Sequence, residues 1–526
     1  MTDYTFEPFF DALADDWYAD DDLLHRLLDR RSTAGKGPGE TSAGASSLEA
    51  WGRACAGPLR ELAEESALPW NRPRLRHFDA RERRVDEVVL PRSTREALAA
   101  VEGREGLGAP HGDLFDFYAR IYLYAQNGEA GVCCSADCTD GLVRALEALG
   151  DRPEHREAVE RVRGSTEARV WHGAQFVTEI QGGSDIPANR TRAVPDGDAY
   201  RLHGKKWFCS NPNADYYLVM ARAEGGGAAG VGDADAGAGG RAGAAAAGAD
   251  DRPLGLFLVP ARLDPEAPGR NGHRLDRLKD KLGTRELATA EITFDGALGW
   301  PVGPLERGLP NLLRHVLVTS RFSCVLFAAA ALRRTERIVR AYADFRTAFG
   351  RRLSDYPLVR ERLDGVERGR ARALAGAFRL LASWQRAGEG DEAEKLVFRV
   401  MLSLAKTVHT REATRLVHDA MMALGGNGIE ERFSPLPRLH RDSVIMETWE
   451  GPHDVLLTQA LRDLRRFGVD AGEFVGRVSG EERPELAREL DSVLDPDVEL
   501  ARAAVPFRPV AERLVAAWAD RELGEA

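Results

Sequence analysis

Residues 176 to 185 join a strand-like start to a glycine-rich turn and carry two hydroxyl side chains. Glycine lets a flat ligand lie close to the main chain, and Thr178 and Ser184 are short donors suited to the polar edge of a ring. A plain hairpin turn would use the same residue types. A second strand-like stretch, 204 to 211, contains Trp207, which could wall a flat cofactor or pack in a core. Alone, each stretch favours the structural interpretation.

Two further patterns lie at the ends of predicted helices. Arg346 could meet a phosphate and Phe349 an adenine ring, although Arg346 followed by Gly350 also describes an ordinary helix C-terminus. The glycine-rich run 424–429 fits a helix cap as well as a place where a dinucleotide touches the main chain. Neither pattern by itself separates a ligand site from a helix end.

A single carboxylate, Glu450, stands on a predicted loop between Trp449 and Gly451, just before a helix. A glutamate in this position can act as a general base, or it can stabilise the following helix through its dipole. Taken alone, the second interpretation is the simpler one. Glu450 is therefore a candidate base whose role depends on what surrounds it.

Helical periodicity dominates the second half of the chain. Apolar residues such as Val397, Met401 and Leu404 recur at helical spacing, which puts them on one face. Long helices with short connections and apolar stripes describe an antiparallel helix bundle. The predicted helices are 309–347, 357–386, 392–424 and 452–466.

Ahead of this region, short runs rich in Val, Tyr, Phe and Leu are bounded by turn residues. They predict a small antiparallel β barrel or sandwich, with strands at 168–178, 200–208, 216–223, 254–260 and 287–294. The Gly, Ser and Ala content of segments 32–47 and 224–252 predicts a flexible linker and a disordered insert. The fold class is therefore α+β, in four units: a mostly helical domain 1–165, a β domain 166–303, a helix bundle 304–466 and a helical extension 467–526.

The composition narrows the class of protein. A chain of 526 residues exceeds the roughly 250 to 300 residues of a single core. Its net charge of −11 repels nucleic acid and anionic lipid. The first thirty residues do not resemble a signal peptide, and no uncharged run reaches the ~18 residues of a membrane span, so we expect a cytoplasmic location and no membrane. The six cysteines predict reduced thiols, and the cluster at 133–138 lacks a second ligand pair, so no metal is expected.

In this order and with these separations, the motifs resemble those of the acyl-CoA dehydrogenase superfamily over about residues 163–466. Within it, the turn Gln181-Gly182-Gly183, the pair Trp207-Phe208, the run Trp449-Glu450-Gly451 and segment 73–79 are most similar to the AidB-type alkylation-response branch. The resemblance implies an N-terminal helical domain, a central β domain, a four-helix bundle and FAD as the cofactor.

The resemblance also assigns roles to individual residues, with Glu450 as the base. The residues expected to bind FAD are Phe176, Val177, Thr178, Gly183, Ser184, Trp207, Cys209, Arg346, Phe349, Met422, Gly425, Gly426 and Pro452. The residues expected to contact substrate are Ser184, Arg321 and Gly451. In the family the adenine end of FAD is bound across a subunit contact, so a homodimer or homotetramer is expected.

Three positions depart from the family pattern. Cys209 stands where many members have a threonine near the flavin, and Pro452 stands where a hydroxyl often contacts it. Val318 occupies a position that often holds an aspartate touching the pantetheine arm. FAD binding is therefore better supported by the sequence than ordinary CoA binding.

The implied reaction is the removal of an α-proton from an acyl thioester by Glu450, with transfer of the β-hydride to flavin N5 and, in one version, electrons passed to an electron-transferring flavoprotein. Burial should raise the pKa of Glu450. An alternative is an AidB-type damage-response protein that binds DNA, but residues 461–526 hold ten Lys plus Arg against fifteen Asp plus Glu, so nucleic acid is not expected. A second alternative is a flavin-dependent oxidase or monooxygenase, which the sequence does not distinguish from a dehydrogenase.

Overall fold

The structure is a computed structural model that describes residues 4–13, 15–32, 46–225, 252–265 and 269–525. The predicted linker 32–47 and insert 224–252 lie almost wholly outside these residues.

The N-terminal unit is helical apart from one hairpin. Its helices are α1 (Glu7–Asp11), α2 (Asp22–Ser32), α3 (Leu48–Ala56), α4 (Pro58–Ser66), α5 (Arg92–Leu98), α6 (Leu114–Ala125), α7 (Cys133–Leu149) and α8 (Pro153–Arg163). The hairpin, which the sequence patterns did not predict, pairs β1 (Arg74–Phe78) with β2 (Arg84–Val89) in antiparallel fashion. The cysteine cluster lies in and around the first turns of α7 as buried free thiols, as expected for structural cysteines.

The central unit contains a seven-stranded sheet. Its strands are β3 (Gly173–Phe176), β4 (Arg192–Asp196), β5 (Ala199–Ser210), β6 (Tyr216–Ala223), β7 (Leu254–Pro260), β8 (His273–Leu278) and β9 (Thr289–Pro301). β6 pairs with β4 and β7, and β9 pairs with β5 and β7, so the pairings of β6, β4, β5, β9 and β7 form a closed circuit. All five predicted strands are present, but β4 and β8 were missed because they are polar and partly exposed.

The helix bundle follows the sheet. Its helices are α9 (Gly308–Asn311), α10 (Leu317–Phe345), α11 (Pro357–Gly388), α12 (Glu392–Leu424), α13 (Leu436–Thr448) and α14 (His453–Arg466). The first predicted helix was too long, because a π turn over residues 312–316 separates α9 from α10. α13 was not predicted, since Pro437 in its first turn interrupts the helical pattern. A short hairpin of β10 (Thr347–Ala348) and β11 (Arg351–Arg352) connects α10 to the next helix.

One apolar core joins the N-terminal helices, the bundle and the C-terminal helices, so the first and last predicted units are not packed as separate bodies. α10 runs through its centre with most of its residues buried. By length and composition the helical stretch 305–345 could cross a membrane, but 94% of its apolar window is buried inside the protein, as in the core helix of a bundle.

The C-terminal extension consists of α15 (Ala471–Ser479), α16 (Pro484–Leu494) and α17 (Leu500–Glu525). Trp518 of α17 is buried and donates from Nε1 to the main-chain oxygen of Gly376, 3.1 Å away. The Arg379 guanidinium lies 3.7 Å from the Trp518 ring centre and donates to the main-chain oxygen of Trp518 at 2.8 Å. These contacts pack the C-terminal extension against α11.

We expect Trp518→Ala to lower the free energy of unfolding by roughly 3 to 5 kcal/mol, because it empties a buried aromatic site and leaves Gly376 without its donor. Thermal denaturation followed by circular dichroism measures the change. Trp70→Ala is the matched control, since Trp70 is 64% exposed and its loss should cost no more than about 0.5 kcal/mol. Equal destabilisation by the two variants would contradict the anchoring role of Trp518.

Candidate active site

Glu450 lies in a tight turn between α13 and α14, and its backbone is in the left-handed region, with φ of 56° followed by 113° at Gly451. A glutamate adopts this conformation only when its surroundings hold it there, at a cost of about 1 to 3 kcal/mol. Two cationic side chains keep the turn in this conformation. Arg321 Nε donates to the main-chain oxygen of Glu450 at 3.1 Å, and Lys406 Nζ donates to that of Gly451 at 2.8 Å.

The carboxylate of Glu450 points away from the following helix. Its Oε1 lies 3.4 Å from Nε2 of Gln175 on β3, and the same amide donates to Oγ of Ser320 on α10 at 3.1 Å. The N-cap residue of α14 is Pro452, and it has no side-chain cap. Glu450 therefore does not cap α14 through a side-chain hydrogen bond.

Burial raises the pKa of Glu450, as expected, while the charges of Arg321 and Lys406 and the hydrogen bond from Gln175 oppose that rise. Burial also lowers the pKa of Arg321, and it lowers the pKa of Lys406 to about 8. Glu450 and Arg321 are only half-buried, although desolvation is the largest influence on both. The surrounding protein thus desolvates both side chains without covering them completely, and we call this partly open region around Glu450 the recess.

A second carboxyl group belongs to the same recess. Asp137 on α7 accepts a hydrogen bond from Ser323 Oγ at 2.7 Å, and Ser320 lies close enough to help lower its pKa. Burial, followed by repulsion from Glu450, raises the pKa of Asp137 to about 7.

The residues predicted to hold a flat ring are brought together on the β domain. The N–H of Trp207 donates to the main-chain oxygen of Thr178 at 2.9 Å, which joins the two predicted stretches. A Cβ at Gly183 would lie 2.9 Å from Thr178 Oγ1, so only glycine allows this approach. Ser184 is exposed, and Trp207 and Val177 are partly exposed.

Two predicted FAD contacts need correction. The side chains of Phe176 and Cys209 are fully buried in the core of the β domain. Burial also raises the pKa of the Cys209 thiol far above its ordinary value, so it stays protonated. Neither side chain is available to a ligand, because both face the interior of the sheet.

Of the other predicted FAD residues, Pro452 lies beside Glu450, and the rest gather at the far end of the bundle. The turn of the β10–β11 hairpin has positive φ at both Phe349 and Gly350, as a tight two-residue hairpin turn requires, and the Phe349 side chain is 98% exposed. Arg346 donates to the hydroxyl of Tyr4 at 2.8 Å. Arg346 is thus the C-cap residue of α10, as the structural interpretation expected, but Gly350 belongs to the hairpin turn and not to the helix end.

The glycine turn is at the same end. Gly425 to Gly428 form a 3₁₀ turn, and Asn427 Nδ2 donates to the hydroxyl of Tyr342 on α10 at 2.9 Å. A Cβ added at Gly425 or Gly426 would have no neighbouring atom within 4 Å, and Met422 is exposed. The main chain of this turn is open to a ligand.

The Glu450 region and the β10–β11 hairpin are far apart within one chain. Arg321, beside Glu450, is near the start of α10, and Phe345, beside the hairpin, is its last residue. At 1.5 Å per residue the helix separates them by about 36 Å, further than one dinucleotide reaches. The Glu450 region and the hairpin therefore do not meet the same FAD molecule within one chain.

The chemistry of both groups fits FAD. Short hydroxyls, open glycines and Trp207 with the exposed Phe208 suit a flat, neutral ring with polar edges. Arg346, Phe349 and the open glycine turn suit a phosphate and an adenine. Among the described residues, no group of three or more His, Cys, Asp or Glu side chains is placed to hold a metal ion.

Four residues of the recess were missed from the sequence: Gln175, Ser320, Asp137 and Lys406. A polar residue inside a strand or helix ordinarily marks the exposed face, so none of them stood out. Lys406 carried the one usable signal, because it interrupts the most apolar part of α12.

The fold and the recess around Glu450 define a flavin-dependent oxidoreductase, and comparison with known proteins gives the family. A family model, acyl-CoA dehydrogenase, C-terminal domain, matches residues 306–464. The chain is 32% identical over 461 residues to acyl-CoA dehydrogenase family member 11 of Caenorhabditis elegans, covering 85% of this chain and 70% of that protein. It is 31% identical over 418 residues to putative acyl-CoA dehydrogenase AidB of Escherichia coli, covering 75% and 70%.

Among solved structures, C. elegans ACDH-11 in complex with C11-CoA has a TM-score of 0.78 and 26% identity, over 96% of this chain and 86% of that one. The chain belongs to the acyl-CoA dehydrogenase family. Acyl-CoA dehydrogenases are FAD-dependent oxidoreductases, so the predicted fold class, enzyme class and cofactor are confirmed. The prediction of a wholly antiparallel β unit was wrong, because β6 runs parallel to β3 and β4.

Replacing Glu450 by Gln should make stability less dependent on pH. A raised pKa means that the folded state favours the protonated acid, so the free energy of unfolding falls as pH rises from about 4.5, the ordinary glutamate value, through the raised pKa. Glutamine does not ionise and escapes this loss. We expect Glu450→Gln to be at least as stable as wild type at pH 8, with the difference shrinking towards pH 4.5.

Urea denaturation across this pH range measures the effect. A variant that is less stable than wild type at pH 8 would show that the charged carboxylate stabilises the fold.

Proposed function

We propose that this chain oxidises an acyl-CoA thioester between its α and β carbons, with Glu450 as the base. The observation that carries the proposal is the strained turn at Glu450, which two desolvated cations hold by its main chain while the carboxyl group stays free for chemistry. Strain of this kind is maintained at functional sites. The C11-CoA bound to the related ACDH-11 supports a CoA thioester as the substrate.

Glu450 takes the proton from the α carbon, a step that needs a base within hydrogen-bonding distance of that carbon. FAD, when bound, supplies the acceptor for the hydride that leaves the β carbon. Thr178, Ser184 and Trp207 would hold the ring of FAD, and the main-chain N–H of Glu450 would polarise the thioester carbonyl.

Gln175 fixes the direction of the Glu450 carboxylate through its 3.4 Å contact. Arg321 and Lys406 favour the ionised form of Glu450 and so limit the rise in pKa that burial causes. The site thereby keeps a desolvated base whose raised pKa is opposed by two neighbouring cations.

The separation of about 36 Å along α10 supports a homodimer or homotetramer as part of this proposal. In such an assembly Arg346, Phe349 and the glycine turn of one subunit bind the phosphate and adenine end of an FAD whose ring lies in the neighbour. The electron acceptor, either an electron-transferring flavoprotein or oxygen, stays a prediction.

Glu450→Gln should bind FAD normally but reduce it about 10² to 10⁴ times more slowly with an acyl-CoA, because the variant lacks the basic oxygen. Anaerobic stopped-flow bleaching of the flavin measures the rate. Asp454→Asn is the matched control, since Asp454 is the carboxylate in the first turn of α14 and its loss should affect only the helix dipole and an exposed ion pair with Arg508. Unchanged bleaching by Glu450→Gln would leave the reaction without this base.

Phe349→Ala should leave the fold intact, since the side chain is 98% exposed, but lower FAD retention at least tenfold if the ring binds the neighbour's adenine. FAD released during dialysis and the mass from light scattering are measured together. Leu358→Ala removes another exposed apolar side chain and serves as the control. A monomeric protein in which Phe349→Ala holds FAD as tightly as wild type would refute the shared site.

A further inference from the structure

The recess continues beyond Glu450 as a chain of polar side chains. The Gln175 amide joins the Glu450 carboxylate to Ser320, Ser320 lies beside Asp137, and Asp137 accepts a hydrogen bond from Ser323. These side chains come from β3, α10 and α7, three elements that pack together. We call Gln175, Ser320, Asp137 and Ser323 the polar floor.

In the proposed reaction the acyl group lies along the polar floor. A base acts within hydrogen-bonding distance of the α carbon. The acyl carbons beyond the α carbon therefore lie beside the side chains that surround the Glu450 carboxylate. Gln175 contacts that carboxylate directly, and Ser320 is one amide further on. Asp137 and Gln175 remain partly accessible, as side chains facing a recess are.

An alkyl chain is a poor occupant for such a lining. An alkyl chain would displace the water that hydrates a carboxyl group, two hydroxyls and an amide. It would form no hydrogen bonds to replace those that the water made. The Oε1 atom of Gln175 is already buried without a partner. A site whose polar groups hydrogen-bond the substrate strongly rejects an analogue that lacks the matching polar group. An apolar pocket discriminates much less between ligands that differ only in size.

We propose that the polar floor recognises a hydroxyl group on the acyl chain, so that the preferred substrate is a short hydroxyacyl thioester and not an unsubstituted one. The inference rests on the proposed function and specifies its substrate class. A hydroxyl both donates and accepts, and Asp137, whose pKa burial raises to about 7, does the same near neutral pH. Ser320 and Ser323 add rotatable donors and acceptors on either side.

The test compares isosteric ligands on the FAD-loaded enzyme. ω-Hydroxyacyl-CoAs of four to six carbons are each paired with the unsubstituted acyl-CoA one carbon longer, so that a hydroxyl replaces a methyl group. Binding to Glu450→Gln is measured by calorimetry and by the change in the flavin spectrum, so the affinities do not depend on turnover. We expect at least one hydroxyacyl-CoA to bind about tenfold or more tightly than its partner.

Variants of the polar floor assign the preference to its residues. In the Glu450→Gln background, Asp137→Leu and the pair Ser320→Ala with Ser323→Ala should abolish or invert the preference, and Asp137→Asn should retain part of it. Asp140→Asn is the control, because Asp140 is buried one turn along the same helix but bonds Tyr118 and Arg144. If Asp137→Leu does not fold, the serine variants and Asp137→Asn decide the question.

The outcomes separate the inference from the proposed function. Equal or weaker binding of every hydroxyacyl-CoA, or a preference that survives the variants, overturns the inference. Wild-type flavin that is bleached only by unsubstituted acyl-CoAs also overturns it but upholds the dehydrogenase. A hydroxyl preference without bleaching by any ligand upholds the recognition and overturns the reaction, and no binding of any CoA ester overturns both.

Discussion

The site depends on two desolvated cations that hold a strained turn by its main chain. Arg321 and Lys406 come from different helices of the bundle, and each donates to a carbonyl of the Glu450–Gly451 turn. Burying a cation is costly unless it finds fixed acceptors, so both side chains stabilise the fold only while the turn keeps its shape. The conformation of the base is therefore coupled to the packing of α10 against α12.

That coupling explains why so much of the chain is helical scaffold. α10 and α12 can present Arg321 and Lys406 in register only if the core around them is rigid. The N-terminal helices and the C-terminal extension share this core with the bundle. The β domain contributes the opposite wall, and Gln175 is its direct contact with the carboxylate of Glu450.

The sequence predicts the parts of this site that depend on the main chain. Glycines at 183, 425 and 426 and the loop position of Glu450 are visible because few residue types satisfy a close approach or a tight turn. Gln175, Ser320 and Asp137 are not visible, since their roles arise only when three distant elements bring them together. Trp207 and Cys209 belong to one strand, yet Trp207 is partly exposed and Cys209 is buried. The family pattern alone did not show which of the two side chains is accessible.

The choice of acceptor by Arg321 decides whether Glu450 can act as a base. An ion pair between the guanidinium and the carboxylate would lower the pKa of Glu450 and engage the oxygens that must take the proton. Arg321 instead donates to the main-chain oxygen, and its second contact is with Gln459 at 3.2 Å. Its charge still opposes the effect of burial from a short distance. One side chain thus fixes the turn and moderates the pKa while leaving the carboxyl group free, a combination that a direct salt bridge would prevent.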